Sequence, residues 1–162
     1  MILALSRQSH GAVNAVAQEL DDGMTLVWEL LDEAPPDALL AAPVDAEPGW
    51  LMRHDRIDFA PGGIAYRHTH PGPGIRYLLH GSLRIESGGE THEYGPGEPW
   101  FESGPEPVLA TAAETEDTAF VRVLLLPPEW AGKRTIRYVD PSDEDRPRLQ
   151  GVTVFLERPI EL

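Results

Sequence analysis

Short apolar runs, broken at close and regular intervals by glycine and proline, set the reading of this chain. Met24 to Leu31, Trp50 to Phe59, Ile75 to His80, Leu83 to Glu86 and Glu90 to Tyr94 each have strand length and strand composition. Glu98 to Glu102, Val108 to Ala113 and Ala119 to Leu126 continue the series. Thr135 to Val139 and Val152 to Glu157 extend it beyond the Pro127-Pro128 break. One stretch has another period: Val13, Val16, Ala17 and Leu20 recur at helical spacing, which predicts a short amphipathic helix over 11–20, stopped by Asp21-Asp22-Gly23. The Pro/Ala/Asp-rich segment 33–49 reads as an irregular loop, and Asp140 to Arg148 as a solvated charged one.

The connections sharpen this pattern. Gly81-Ser82 is a two-residue link suited to a tight hairpin between the strands ending at His80 and starting at Leu83, with Gly88-Gly89 opening a second hairpin. Gly95-Pro96-Gly97 turns the next corner. Many short strands at such spacing predict an all-β sandwich or barrel, and no solenoid period interrupts them.

Composition narrows the function classes. With 162 residues the chain is expected to bury one core without a staple, and with no cysteine it has no disulfide, thiolate metal site or cysteine nucleophile. Its 27 acidic residues outnumber 13 basic ones, a net charge of −14, which argues against nucleic acid or an anionic membrane surface as partner. No apolar run reaches the ~20 residues of a membrane span, and Met1 to Leu5 meets Arg7 too soon for a secretory core, so the expected location is cytoplasmic. A serine-nucleophile elbow, a phosphate-binding loop and a dinucleotide fingerprint are absent from the sequence. The one lysine, Lys133, falls past the expected barrel and is a poor Schiff-base candidate.

The local signal with metal-ligand character is His68-Thr69-His70. In a strand, residues two apart project from one face, so both imidazoles can converge on one ion or ligand. His80 and His92 read as surface histidines. By the same alternation Tyr66 shares a face with the pair, Arg76 shares one with Gly74, and Trp100 shares one with Glu102.

Gly62, His68, His70 and Gly81, with Pro71-Gly72-Pro73-Gly74 between, resemble the first cupin motif. Gly97 to Val108 resembles the second. The resemblance covers about residues 54–127. It implies an all-β fold, the cupin double-stranded β-helix or jelly-roll barrel, here with a short N-terminal helix/strand extension. On this reading residues 1–49 are that extension, 50–128 the barrel core and 129–162 a strand-forming tail. The family's metal is held by three histidines and one glutamate. Here the glutamate position falls on Gly74 and the third histidine on Val108, while Val108, Ala110 and Ala112 give one wall small apolar side chains.

Two readings follow from that incomplete set. In one, the cavity binds a small organic, anionic molecule, with His68, His70, Tyr66, Arg76, Trp100 and Glu102 as ligand-binding residues and metal weak or absent. In the other, His68, His70 and Glu102 hold a divalent ion (Fe, Mn, Ni or Zn) in a dioxygenase, isomerase or hydrolase. The resemblance and the need to cover strand edges also imply a homodimer, with the alternating tail Val152, Val154, Leu156 as the pairing strand.

Overall fold

A computed structural model describes all 162 residues. The chain forms fourteen strands. They are β1 (Ile2–Ser6), β2 (Ala15–Glu19), β3 (Thr25–Leu31), β4 (Leu40–Pro43), β5 (Leu51–Phe59), β6 (Ile64–Thr69), β7 (Gly74–His80), β8 (Leu83–Ser87), β9 (Glu90–Tyr94), β10 (Pro99–Glu102), β11 (Val108–Ala112), β12 (Thr118–Leu126), β13 (Arg137–Tyr138) and β14 (Gln150–Pro159). Two short 3-10 turns, Pro128–Trp130 and Pro141–Asp145, are the only helical segments.

The eight strands β5 to β12 build a jelly roll. One sheet has the order β10-β7-β12-β5 and gains β14 at its edge; the facing sheet has the order β6-β11-β8-β9 and gains β13 beside β6. All nine residues of β12 are buried, because it lies between β5 and β7 and is covered on both faces. Its inner face joins Ile57, Phe59, Leu78 and Phe120 to Leu83, Ile85, Val108 and Ala110 of the other sheet in the barrel core.

The outer face of the same sheet is covered by a third layer, the N-terminal sheet in the order β2-β3-β1-β4. Leu3, Leu5, Leu26 and Trp28 pack there against Met52, Ile75, Val121 and Val123. The fully buried Trp28 indole donates to the Ile75 carbonyl at 3.1 Å, so its polar atom is satisfied within the apolar layer. The chain's end is tied to this layer too: Asn14 and Glu161 exchange two hydrogen bonds, at 2.6 and 2.7 Å.

Several expectations are corrected. Residues 11–20 hold no helix: Ala15–Glu19 is strand β2, paired with β3, and Val13 is 70% exposed. Asp21-Asp22-Gly23 is the turn of a hairpin, with Gly23 at φ +85°, where the helical reading made it a stop signal. Segment 33–49 is not wholly irregular, since β4 pairs with β1. Gly81-Ser82 is not a hairpin turn. β7 pairs with β10 and β12 while β8 pairs with β11 and β9, so the link is a corner that carries the chain from one sheet to the other. Gly88-Gly89 does close the β8–β9 hairpin, both residues at positive φ. The tail strand β14 takes β5 of its own chain as partner, leaving its other edge unpaired.

Candidate functional site

Between the two jelly-roll sheets lies a cavity of about 550 Å³. Its deep part is apolar, lined by Ile57, Phe59, Leu83, Ile85, Val108, Ala110 and Phe120. Ala112 is buried in the same core without lining the cavity. A polar collar of His68, His70, Asp55, Glu102 and Arg122 follows, and the mouth carries Arg53, Lys133, Arg134, Arg148 and Glu157.

His68 and His70 both line the cavity, as their alternation implies, with ring centroids 4.9 Å apart and planes nearly perpendicular. Nδ1 of His68 donates to the Tyr66 carbonyl at 2.6 Å, which leaves Nε2 without a protein partner. Nδ1 of His70 is bonded to Thr135 Oγ1 at 3.1 Å, and its backbone N–H to the Gly104 carbonyl. Burial drives both imidazoles below their ordinary pKa, with Arg122 and Arg76 repelling a proton at each; His70 falls the further, because Glu102 offsets part of the shift at His68 while His68 adds to it at His70. The pair is therefore neutral at neutral pH.

Tyr66 does not join them. Val108 pairs with His68 but Ala110 pairs with Ala65, so β6 carries an extra residue between those two pairs. That bulge resets the alternation: Ala65 and His68 both face the cavity, and Tyr66 is turned away under the Arg146 guanidinium, 4.9 Å from its ring centroid. The bulge had no signature in the residue pattern.

Trp100 and Glu102 do share the inner face. The indole is stacked on Tyr94, with centroids 4.7 Å apart, and donates to Glu102 Oε2 at 2.9 Å. Arg76 Nε lies 2.8 Å from the same oxygen, out of line for a hydrogen bond but in ion-pair contact. Arg76 is corrected as a direct ligand contact. It is fully buried behind Glu102, outside the cavity lining, its Nη1 donating to the Gly74 carbonyl. Burial brings its pKa down to about 10, and Glu102 keeps it charged.

The same contacts rule on the metal set. The Glu102 carboxylate is committed to Trp100 and Arg76, and no three His, Asp or Glu side chains are placed to hold one ion. His68, His70 and Glu102 thus do not fit a facial triad.

Two cavity groups escaped the sequence reading, Arg122 and Asp55. They face each other across β12 and β5 and are joined by two hydrogen bonds, Nε to Oδ1 at 2.7 Å and Nη2 to Oδ2 at 3.1 Å. A lone arginine inside the apolar run Thr-Ala-Phe-Val-Arg-Val-Leu-Leu-Leu was the available signal, since a buried charge demands a partner. The segment 130–138 supplies the rest. Arg53 holds it at the mouth, donating to the Trp130 and Lys133 carbonyls and to Glu157, while Gly132 N–H donates to Glu157 Oε1. His80 and His92 lie on the exterior.

No protein-family profile and no curated protein matches the sequence. Among solved structures, the chain is similar to the polyketide cyclase RemF from Streptomyces resistomycificus, with 24% identity over 59% of this chain and 77% of that one, TM-score 0.43. It is similar to an RmlC-like cupin from Shewanella frigidimarina, with 15% identity over 54% of this chain and 86% of that one, TM-score 0.43. A predicted oxalate decarboxylase from Thermotoga maritima shares 25% identity over 46% of this chain and 65% of that one, TM-score 0.40. The strand order stands on its own: β5, β7, β10 and β12 form one sheet and β6, β8, β9 and β11 the other, with the His-x-His strand facing inward, and together they make a jelly-roll barrel.

Proposed function

We propose that this barrel captures a small organic anion in its cavity without needing a metal. The observation that carries the reading is the composition of the collar. Two neutral imidazoles and the Arg122–Asp55 pair ring an apolar hollow of about 550 Å³, and no set of metal ligands is assembled among them. A pocket that is apolar in depth and offers few convergent polar groups suits a small molecule better than an ion. The apolar depth takes the ligand's body. His68 Nε2 accepts, or bonds through water to, a polar atom on that body.

The divalent-metal reading would need a third ligand, and the natural donor, Glu102, is already engaged. The test is a thermal-shift panel of aliphatic and aromatic carboxylates, run beside elemental analysis of protein purified without chelator or tag. The expected result is a melting temperature raised by a subset of the acids, lost in Ala110→Phe and in the milder Ala65→Leu, both of which fill the hollow. Stoichiometric metal that disappears in His68→Ala and His70→Ala would overturn the proposal in favour of a metalloenzyme.

A further inference from the structure

Charge is not spread evenly over this acidic chain. Five of its thirteen basic residues, Arg53, Arg122, Lys133, Arg134 and Arg148, line the barrel cavity, against three of its 27 acidic ones. Within that set the cations divide by depth. Inside, each guanidinium has its own carboxylate: Arg122 has Asp55, and Arg76 behind the wall has Glu102. The interior is therefore neutral, and a second carboxylate placed there would have to displace one already bound.

The mouth is different. Arg53 and Glu157 cancel, but Arg134 and Arg148 share the single carboxylate of Glu144, at 3.5 and 2.5 Å, and Lys133 has no ion-pair partner. Arg134 and Arg148 also lie on the Tyr138 ring, at 5.6 and 5.9 Å, which holds their side chains beside the opening. Lys133 borders the adjoining outer groove as well, where Arg137 and Glu129 add one charge of each sign. The excess positive charge thus sits where a bound molecule would emerge, with Lys133 and Arg134 on the segment that Arg53 straps down and Arg148 just before β14.

Building on the reading of the barrel as a binding cavity, we infer that its ligand is an amphiphilic organic acid bound tail-first. The apolar body lies against Trp100, Phe120 and Ile57, and the acidic group is held at the mouth by Lys133, Arg134 and Arg148. The orientation follows from where charge is unmatched. An anion gains most from cations whose charge is not already matched, and a desolvated interior with balanced pairs takes up neutral surface instead. The whole chain's net charge of −14 disfavours the approach of an acid, so the basic mouth also acts as the point of capture.

Two dyes of one ring system test this. 8-Anilino-1-naphthalenesulfonate carries an acidic group, and N-phenyl-1-naphthylamine is the same body without it. The sulfonate is expected to bind more tightly, to weaken about tenfold in the double variant Lys133→Gln/Arg148→Gln, and to weaken with salt. The neutral dye should change less than about twofold, and Arg84→Gln, an exposed charge on the outside of β8, should leave both unchanged. If the double variant leaves the sulfonate unaffected while Ala110→Phe weakens both dyes, the mouth assignment falls and the cavity reading stands. If neither dye binds, or Ala110→Phe changes neither, the cavity reading falls and the orientation falls with it.

Discussion

Arg76 and Arg122 are direct cross-strand neighbours on the inner face of one sheet, two guanidiniums side by side in a buried row that runs Trp100, Arg76, Arg122, Asp55 across β10, β7, β12 and β5. Like charges opposite one another in a sheet repel, so the row is stable only because Glu102 and Asp55 flank it. Asp55→Asn leaves two buried cations against one carboxylate and should cost about 3 kcal/mol in a denaturant melt. Replacing Asp55 and Arg122 together by leucine should recover most of that loss. A single variant as stable as the wild type would show that the pair does not hold the row together.

Gly74 sits in the next row, opposite Glu102 and Leu124. A Cβ built there would lie 2.5 Å from the Val123 carbonyl oxygen and 3.1 Å from Arg76 Nη1. The backbone oxygen cannot yield, so Gly74→Ala should cost about 1–3 kcal/mol through overpacking. Gly74→Glu, which puts a glutamate where the resembled cupin motif has one, should cost more and should not confer metal uptake, because Arg76 occupies the space above the glycine. Stoichiometric metal in that variant, by elemental analysis, would overturn this account.

The barrel strands were legible because alternation and glycine turns are local. The path between sheets was not. Gly81-Ser82 looks the same in sequence whether the flanking strands stay together or part, and what parts them is the pairing of β7 with β12, whose residues lie some forty positions on. Tyr66 failed for a related reason, since one extra residue in β6 is set by its partner β11. The helix expected over 11–20 lost to pairing with β3, a tertiary contact overriding a local period. His68, His70, Trp100 and Glu102 were readable from strand parity. Arg122 and Asp55 were not singled out, although a charge isolated in an apolar strand marks a buried pair. The mouth residues Lys133, Arg134 and Thr135 lie in irregular chain, where no periodicity reports which way a side chain points.

His10 bridges Glu29 and Asp37, one ring nitrogen to each, at 2.9 and 2.8 Å. The hydrogen bonds to Glu29 and then Asp37 raise its pKa above the ordinary histidine value. A raised folded-state pKa stabilises fully below the unfolded value of about 6.5, and the gain is lost as pH climbs through the folded one. Melting curves of wild type and His10→Asn should therefore differ most below pH 6.5, down to the acid range in which Glu29 and Asp37 take up protons, and converge on the alkaline side. A difference that is constant with pH would mean the bridge carries no charge.

Arg53 is the buckle of the mouth. Its guanidinium donates to Glu157 at 2.5 Å, to the Lys133 carbonyl at 2.8 Å and to the Trp130 carbonyl at 3.0 Å, and its own side chain is almost wholly buried. Trp130 packs against Leu51, Leu124 and Leu126 and Thr135 is bonded to His70, but between them the segment is exposed, and there these bonds, with that of Gly132 N–H to Glu157, attach it to β5 and β14. Arg53→Leu keeps the apolar stem and removes all three. The core strands do not depend on them, so the segment should open while the barrel stays folded, as local unfolding of a weakly held unit. Trypsin should then cut after Lys133 and Arg134 at least about tenfold faster than in the wild type, with the global denaturation midpoint little changed. Equal cleavage rates in the two proteins would show that the segment is held by something other than this side chain.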